Sequence, residues 1–346
     1  MRRILLSIAI CAIAVSQLYA QSRFMPKTDL RPAKTVFLYV SEANAAVGEI
    51  DDPVYGKEVE ALALTPTDGG NQGITEELTG DFGQLQCVGK YARFDLYFPE
   101  RPNGQMIIMC PGGGYWNIFT YSEGLYGAEW FLQQGITVAV AKYRQPGGHW
   151  TVPLDDVQEI MRYCRAHAAH WRVRQLGIAG FSAGGHLAAT ASTLYTDATT
   201  RPDFAILFYP VISFCDETLV HRDTRTNLLG SEAWWYDRRG CTADEYLRRT
   251  QQYAALKERY SPEKNITADT PETFIVLGIG DDVVRPENSL RYASALLQCG
   301  VKCELQIFDN AGHGFGFFPQ EVDFLDQTVR SALLSDLKRW LEQINK

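Results

Sequence analysis

Ser182 is the residue whose surroundings most clearly indicate chemistry, because it stands at the centre of the pattern Gly180-Phe181-Ser182-Ala183-Gly184. An apolar, strand-like run, Gln175–Gly180, leads into this pattern, and a helical run, His186–Leu194, follows it. A serine at a sharp strand-to-helix turn projects its hydroxyl from the sheet edge, and flanking glycines relieve crowding of the tight backbone. The helix that follows directs its positive N-terminal end toward the place where negative charge develops during acyl transfer. The pattern therefore predicts that Ser182 is a nucleophile.

A nucleophilic serine needs a histidine to accept its proton, and three histidines follow Ser182 in the chain. His186 lies only one helical turn beyond the serine and is interpreted as a residue that packs under the site, which leaves two candidates. His313 lies in a loop flanked by glycines, Asn310–Gly316, after the last apolar strand. His221 lies among charged residues and is interpreted as a substrate contact or a structural residue. We therefore predict that His313 is the general base.

The carboxylate that orients the base is expected between the serine and the histidine in the chain. Asp281 and Asp282 directly follow the apolar strand Thr273–Gly278, so either of them can reach the histidine loop. The other one would then be a solvated carboxylate, or a cap for the helix that begins near Pro286.

Three consecutive glycines follow another apolar strand, in Pro111-Gly112-Gly113-Gly114-Tyr115. Such a loop lets the main chain approach a substrate without side chains in between. The loop lacks the lysine and the glycine spacing of phosphate-binding loops. We predict that the N–H groups of Ala183 and of Gly113 or Gly114 bind the oxyanion of a tetrahedral intermediate.

Aromatic side chains near these motifs are candidates for substrate binding. Tyr115 and Trp116 directly follow the glycines, and Trp234 and Trp235 lie in the long stretch between two predicted strands. Aromatic rings in a charged segment suit a sugar-bearing substrate through stacking, although each of them could equally belong to the core. Together with His221, these four residues are the predicted substrate contacts.

Strands alternate with amphipathic helices along the rest of the chain. Runs such as Met106–Met109 are apolar throughout, as expected for parallel strands that are covered on both faces. The alternation predicts an α/β fold, a mostly parallel, doubly wound sheet with helices on both faces. The predicted strands are Thr35–Val40, Ala92–Phe98, Gln105–Cys110, Ile136–Lys142, Gln175–Gly180, Phe204–Tyr209, Thr273–Gly278 and Cys303–Phe308.

The chain divides into three predicted regions. Residues 1–20 combine Arg2 and Arg3 with an apolar stretch of about a dozen residues and a small residue at the end, which is typical of a secretory signal. Residues 21–90 are predicted to be an irregular extension. Residues 91–346 are predicted to be one domain, in which residues 212–269 form a cap-like insertion after the sixth strand. We therefore expect a secreted protein, periplasmic or extracellular.

Composition limits the partners. The chain has 346 residues and a formal net charge of −8, which argues against nucleic-acid binding. No apolar run reaches the roughly 20 residues that span a bilayer. The spacing of histidines and cysteines predicts no metal site, and the disulfide pairing of the seven cysteines after the signal stays open. Neither a cofactor nor an oligomeric state is indicated.

Seven motifs follow one another along roughly residues 92–345. With them the chain resembles the α/β-hydrolase esterases of the BD-FAE and acetylxylan-esterase-like group. Pro111 stands where the hormone-sensitive-lipase relatives carry a histidine, so the chain resembles those less. The motifs are Cys110-Pro-Gly-Gly-Gly-Tyr115, Ala141-Lys-Tyr-Arg144, Gly180-Phe-Ser-Ala-Gly-Gly-His186, Tyr209-Pro-Val-Ile-Ser213, Asn227-Leu-Leu-Gly230, Tyr260-Ser-Pro-Glu-Lys264 and Pro286-Glu-Asn-Ser289.

The resemblance implies an α/β-hydrolase fold and the removal of acyl groups, often acetyl, from plant polysaccharides such as xylan. It also favours Asp281 over Asp282, because members carry Asp-x-x-Val-Pro before Asn-Ser, although Arg285 stands here in place of the proline. The alternatives are feruloyl-esterase activity, a serine peptidase, a lipase and a glycan-binding protein without activity. A peptidase of the related type would carry a large N-terminal propeller, and a lipase would carry a long apolar lid.

Overall fold

The computed structural model describes residues 30–40, 57–58, 84–85, 88, 92–317 and 327–345. The predicted signal segment, residues 1–20, lies outside the described residues, as does most of the predicted extension, residues 21–90. Eight strands form the main sheet, and each of the eight predicted strands overlaps one of them. They are β1 (Lys34–Phe37), β2 (Arg93–Tyr97), β3 (Gln105–Cys110), β4 (Thr137–Lys142), β5 (Gln175–Phe181), β6 (Phe204–Phe208), β7 (Glu272–Gly278) and β8 (Cys303–Phe308).

The strands lie in the order β1-β2-β4-β3-β5-β6-β7-β8. Strand β2 pairs antiparallel with both β1 and β4, and the five other pairings are parallel. The predicted α/β fold with a mostly parallel sheet is therefore confirmed.

The N-terminal edge of the sheet differs from the prediction. The predicted strand Thr35–Val40 is divided, because Lys34–Phe37 pairs with β2 whereas Tyr39–Val40 pairs with Lys57–Glu58 in a separate two-stranded sheet. A second short pair joins Gln84–Leu85 to Ile118–Phe119. The main sheet therefore includes a strand that lies before residue 91, where the domain was predicted to begin.

Helices cover both faces of the sheet. Within the described part of the chain, the α-helices are α1 (Tyr126–Gln133), α2 (Val152–His167), α3 (Ser182–Thr193), α4 (Arg222–Leu229), α5 (Glu232–Trp235), α6 (Ala243–Arg259), α7 (Glu287–Gln298) and α8 (Gln327–Ile344). A π-helical turn, Tyr121–Leu125, leads directly into α1, and a 3-10 turn, Pro262–Lys264, precedes β7.

The apolar runs of the central strands supply both faces of the core, as strand β3 illustrates. Met106 and Ile108 pack into the cluster on one face of the sheet. Ile107 and Met109 pack into the cluster on the other face. This alternation follows from the two-residue repeat of a strand, and it explains why the run Met106–Met109 is apolar on both faces.

The segment between β6 and β7 contains three helices, α4 to α6. Helix α6 begins with a capping box, in which the Thr242 hydroxyl accepts a hydrogen bond from the Glu245 N–H and the Glu245 carboxylate accepts one from the Thr242 N–H. The ring of Trp235 stacks on Tyr253 with ring centroids 5.2 Å apart, which joins α5 to α6. The segment therefore has a small aromatic core of its own.

Within the described ranges, no helix has both the length and the apolar composition to cross a bilayer. The six cysteines in these ranges, which are Cys110, Cys164, Cys215, Cys241, Cys299 and Cys303, are all free thiols.

A buried histidine joins helix α3 to the segment after α6. The Nε2 of His186 donates to the Tyr260 carbonyl at 2.8 Å, and its Nδ1 accepts from the Tyr115 hydroxyl at 2.9 Å. The imidazole also stacks on the Phe214 ring, with centroids 4.4 Å apart. Because burial opposes the charged form, the pKa of His186 falls from 6.5 to about 4.

This low pKa predicts that acid destabilises the fold. In the unfolded chain His186 takes up a proton below about pH 6.5, whereas in the folded chain it stays neutral down to about pH 4. The stability that depends on neutral His186 is therefore fully present above pH 6.5 and is lost progressively as the pH falls toward 4, by up to about 3 kcal/mol. Urea unfolding measured across this pH range checks it.

The matched control is His186→Gln, which cannot take up a proton. We expect this variant to be less stable than the parent at neutral pH, with a stability that depends less on pH between 6.5 and 4. An unchanged pH dependence in the variant would show that other groups cause the acid sensitivity.

Candidate active site

Ser182 occupies the turn between β5 and α3 with a left-handed backbone, φ 52°. A side chain on Gly180 would collide with the Gly184 carbonyl, and one on Gly184 would collide with the Cys110 carbonyl. The Ser182 carbonyl accepts a hydrogen bond from the Val211 N–H at 3.1 Å. Close backbone packing on all sides therefore holds the serine in a conformation that costs a non-glycine residue energy.

The structure brings Ser182, His313 and Asp281 together. The Nε2 of His313 lies 2.9 Å from the Ser182 Oγ, and the Nδ1 lies 2.7 Å from the Asp281 Oδ2. Since a carboxylate can only accept, the Nδ1 carries the proton, and the Nε2 is left to accept the serine proton. The arrangement can deprotonate the hydroxyl as it attacks a carbonyl carbon.

Of the two candidate acids, Asp281 is the one that is hydrogen-bonded to His313, whereas Asp282 is exposed to solvent. The second carboxylate oxygen of Asp281 accepts from the N–H groups of Val283 and Val284, at 3.0 and 2.8 Å. These bonds occur because the chain turns sharply after β7. They fix the orientation of the carboxylate, so that its Oδ2 faces the imidazole.

The glycine loop follows β3, beside the turn that carries the serine. Gly113 and Gly114 have φ values of 128° and 64°, which favour glycine. No described residue accepts a hydrogen bond from the N–H of Gly113 or Gly114. Ala183 is the second residue of α3, where helical N–H groups lack a partner within the helix. These three predicted donors are available to an oxyanion.

Two side chains that were not among the predicted site residues hold the glycine loop. The Glu123 carboxylate accepts from the Gly112 N–H at 2.6 Å, and the Asn227 amide donates to the Gly114 carbonyl at 2.8 Å. Glu123 stands in no recognisable catalytic pattern. Asn227 belongs to one of the seven family motifs, but it comes from α4, more than a hundred positions from the loop that it contacts. The signal that could have found Glu123 is an acidic residue in an otherwise apolar and aromatic segment.

His221 caps helix α4, where its Nδ1 accepts from the Thr224 N–H at 3.3 Å. Burial lowers the pKa of His221, and the charges of His313 and Asp281 also act on it. The side chain therefore has a structural role at the start of α4, and its contact with a substrate stays a prediction.

The four predicted aromatic contacts divide into two pairs. Trp116 and Trp234 are exposed, by 41% and 46%. Tyr115 is only 2% exposed, because its ring packs against Tyr143 and its hydroxyl donates to His186. Trp235 is also 2% exposed, and its indole N–H donates to the Leu229 carbonyl at 2.8 Å. The structure thus corrects the prediction for Tyr115 and Trp235, which belong to the core.

A family model described as alpha/beta hydrolase fold matches residues 112–317. The chain belongs to this family. The matched region begins at the glycine loop and ends just after the histidine loop, so it includes Ser182, Asp281 and His313. The resemblance and the fold inferred from the sequence motifs are therefore confirmed.

Three individual proteins illustrate the relationship. An acetylxylan esterase of Xylanibacter ruminicola is 34% identical over 268 residues, which cover 76% of this chain and 49% of that protein. The chain therefore spans about half the length of this curated relative. An acetyl ester-xyloside bifunctional hydrolase from Caldicellulosiruptor lactoaceticus is 23% identical, with a TM-score of 0.61 over 92% of this chain and 98% of that one. A thermophilic esterase from Thermogutta terrifontis is 25% identical, with a TM-score of 0.55 over 73% and 90% of the two chains.

Because Asp281 is hydrogen-bonded to His313 and Asp282 is exposed to solvent, replacement of Asp281 should affect turnover far more than replacement of Asp282. We expect Asp281→Asn to lower kcat for p-nitrophenyl acetate by about 10³- to 10⁴-fold, since the imidazole loses the charge that holds its tautomer. The matched control Asp282→Asn should stay within about twofold of the parent. Equal losses in the two variants would contradict the assignment of Asp281.

Proposed function

We propose that this protein is a secreted serine esterase that removes acyl groups, acetyl foremost, from plant-type polysaccharides or oligosaccharides. The observation that carries the proposal is the continuous line of hydrogen bonds from the Ser182 Oγ through His313 to Asp281, at 2.9 and 2.7 Å. The 34% identity to an acetylxylan esterase supports the substrate class. The signal predicted in residues 1–20 supports export to the periplasm or beyond.

In the first step the Ser182 oxygen attacks the carbonyl carbon of the ester, and His313 takes the hydroxyl proton on its Nε2. The carbonyl double bond becomes a single bond, so negative charge develops on its oxygen. The N–H groups of Ala183 and of Gly113 or Gly114 stabilise this oxyanion, because they need no reorganisation when the charge appears.

Collapse of the tetrahedral intermediate breaks the bond to the sugar oxygen. That oxygen takes the proton from His313 and leaves as an alcohol, while the acyl group stays on Ser182. Water then attacks the acyl-enzyme and gives its proton to His313. The second intermediate collapses to the free carboxylic acid and the serine hydroxyl, which takes the proton back.

The exposed aromatic residues support a saccharide as the leaving group. Trp116 directly follows the glycine loop, and Trp234 lies in the segment between β6 and β7. An exposed indole offers a flat apolar face on which a sugar ring can stack. A small ester such as p-nitrophenyl acetate carries no sugar to use these surfaces.

Replacement of the nucleophile tests the reaction class. We expect Ser182→Ala to reduce ester hydrolysis by about 10⁴-fold or more, while its unfolding transition stays close to that of the parent. The decisive assay measures acetate released from acetylated xylan and other acetylated glycans, ferulate released from feruloylated arabinoxylan, and hydrolysis of a peptide amide.

Each product of that assay separates one alternative. Acetate release that disappears in Ser182→Ala supports the proposal, whereas preferential ferulate release would indicate a feruloyl esterase. Cleavage of the peptide amide above that of the esters would indicate a peptidase. Binding of the glycan without release of any acid would indicate a glycan-binding protein without activity.

Replacement of Trp116 tests the saccharide site. We expect Trp116→Ala to raise KM for acetylated xylo-oligosaccharides by about three- to tenfold, because the loss of one aromatic contact weakens binding by about that factor. KM for p-nitrophenyl acetate should stay unchanged. The matched control is Phe98→Ala, because Phe98 is equally exposed at 41% but follows β2, the strand that runs against the others. The same change in KM for both esters would contradict a role in sugar binding.

A further inference from the structure

Glu123 is a buried carboxylate that the proposed reaction does not use. It lies in the π-helical turn before α1, and it is only 5% exposed. Its Oε2 accepts from the Gly112 N–H at 2.6 Å, and its Oε1 accepts from the Tyr209 hydroxyl at 2.9 Å. A buried acidic group is costly unless it is hydrogen-bonded, so the two bonds explain how the fold tolerates it.

The first of these bonds reaches the glycine loop at a point close to the nucleophile. A Cβ on Gly112 would lie 2.9 Å from the Glu123 Oε2 and 3.0 Å from the Ser182 Cβ. The carboxylate therefore holds the peptide that precedes the predicted oxyanion donors, Gly113 and Gly114. Since Asn227 holds the carbonyl of Gly114, the loop is anchored at both ends.

The second bond leads to the loop that carries the histidine. The Tyr209 hydroxyl oxygen accepts from the Gly316 N–H at 3.0 Å, so its proton is directed to Glu123. The Tyr209 ring contacts the rings of His313 and Phe315, with centroids 4.8 Å away in both cases. The Tyr209 ring therefore packs against the His313 imidazole, and the Tyr209 hydroxyl is hydrogen-bonded to the backbone of the loop that follows His313.

The backbone of Tyr209 adds an independent observation. Its φ is 37°, an unfavourable value for a bulky residue, and its side chain is almost completely buried. Strain of this kind persists where the surrounding structure over-determines the conformation, and it concentrates at functional sites. The strained turn after β6 directs the tyrosine ring between Glu123 and His313.

We propose that Glu123 is a positioning residue which, through Gly112 and Tyr209, holds the oxyanion-binding loop and the His313 loop in register with Ser182. This role rests on the proposed function, because it matters only if Ser182 and His313 react. The glycine loop follows β3, and the histidine loop follows β8. The Glu123 carboxylate contacts the glycine loop directly, and it contacts the histidine loop through the Tyr209 side chain.

The charges at the site agree with this role. Burial raises the pKa of Glu123, whereas the Gly112 amide, the charge of His313 and the Tyr209 hydroxyl each lower it. All three of these groups favour the ionised form.

The test is Glu123→Gln, which keeps the shape but replaces one acceptor oxygen with an N–H₂ donor. One of the two donors, Gly112 or Tyr209, then loses its acceptor. We expect kcat for p-nitrophenyl acetate to fall by about 10²-fold, the effect of a misplaced reacting group, with KM within about twofold. Affinity for phenylboronic acid, which forms a tetrahedral adduct with the serine, should fall by a similar factor.

Two further variants separate positioning from general stability. Asp203→Asn removes a carboxylate that accepts from the Leu176 N–H at 2.7 Å, at the opposite edge of the sheet, and it should leave boronate affinity unchanged even if it lowers thermal stability. Tyr209→Phe should reproduce part of the Glu123→Gln loss. When Glu123→Gln and Tyr209→Phe are combined, kcat should fall by less than the two single losses combined, because both changes break the same connection.

The outcomes distinguish this role from the proposed function. If the parent hydrolyses p-nitrophenyl acetate and Glu123→Gln matches its kcat and boronate affinity, the positioning role is overturned and the esterase proposal stands. A loss that Asp203→Asn reproduces in boronate affinity also overturns the role. If the parent hydrolyses no ester, the proposed function fails, and the role of Glu123 fails with it.

Discussion

The left-handed backbone at Ser182 is the constraint on which the site depends. A serine avoids this conformation unless the structure around it leaves no alternative, and the tight contacts of Gly180 and Gly184 supply that restriction. As a result the hydroxyl projects from the end of β5, while the N–H of Ala183 comes free at the start of α3. The nucleophile and one predicted oxyanion donor are thus both consequences of a single turn.

The other components reach the serine because parallel strands end at one edge of the sheet. The glycine loop follows β3, the aspartate follows β7 and the histidine loop follows β8, so three separate segments converge on the turn after β5. Convergence alone leaves such loops free to shift by an ångström. The buried bonds of Asp281 to two backbone N–H groups, and of Glu123 to Gly112 and Tyr209, restrict that freedom.

The segment between β6 and β7 has a double role. Its aromatic core, in which Trp235 stacks on Tyr253, stabilises the segment itself. At the same time the Asn227 amide donates to the glycine loop, and His221, a predicted substrate contact, caps α4. The surface that would recognise a substrate and the loop that would bind the oxyanion therefore belong to one packed unit.

The amino-acid sequence by itself determined the α/β fold, the eight strands and the predicted nucleophile and base. Each of these leaves a local signal, namely an apolar run, a helical repeat or a glycine pattern around a reactive residue. The choice of Asp281 came from a family resemblance, because two adjacent carboxylates look alike to any local pattern.

Only the tertiary structure decided that Tyr115 and Trp235 are buried, since an aromatic side chain serves a core and a binding surface equally well. The same holds for Glu123, whose partners lie 11 and 86 positions away in the chain. Its position depends on how three loops pack together, and no spacing in the sequence encodes that contact.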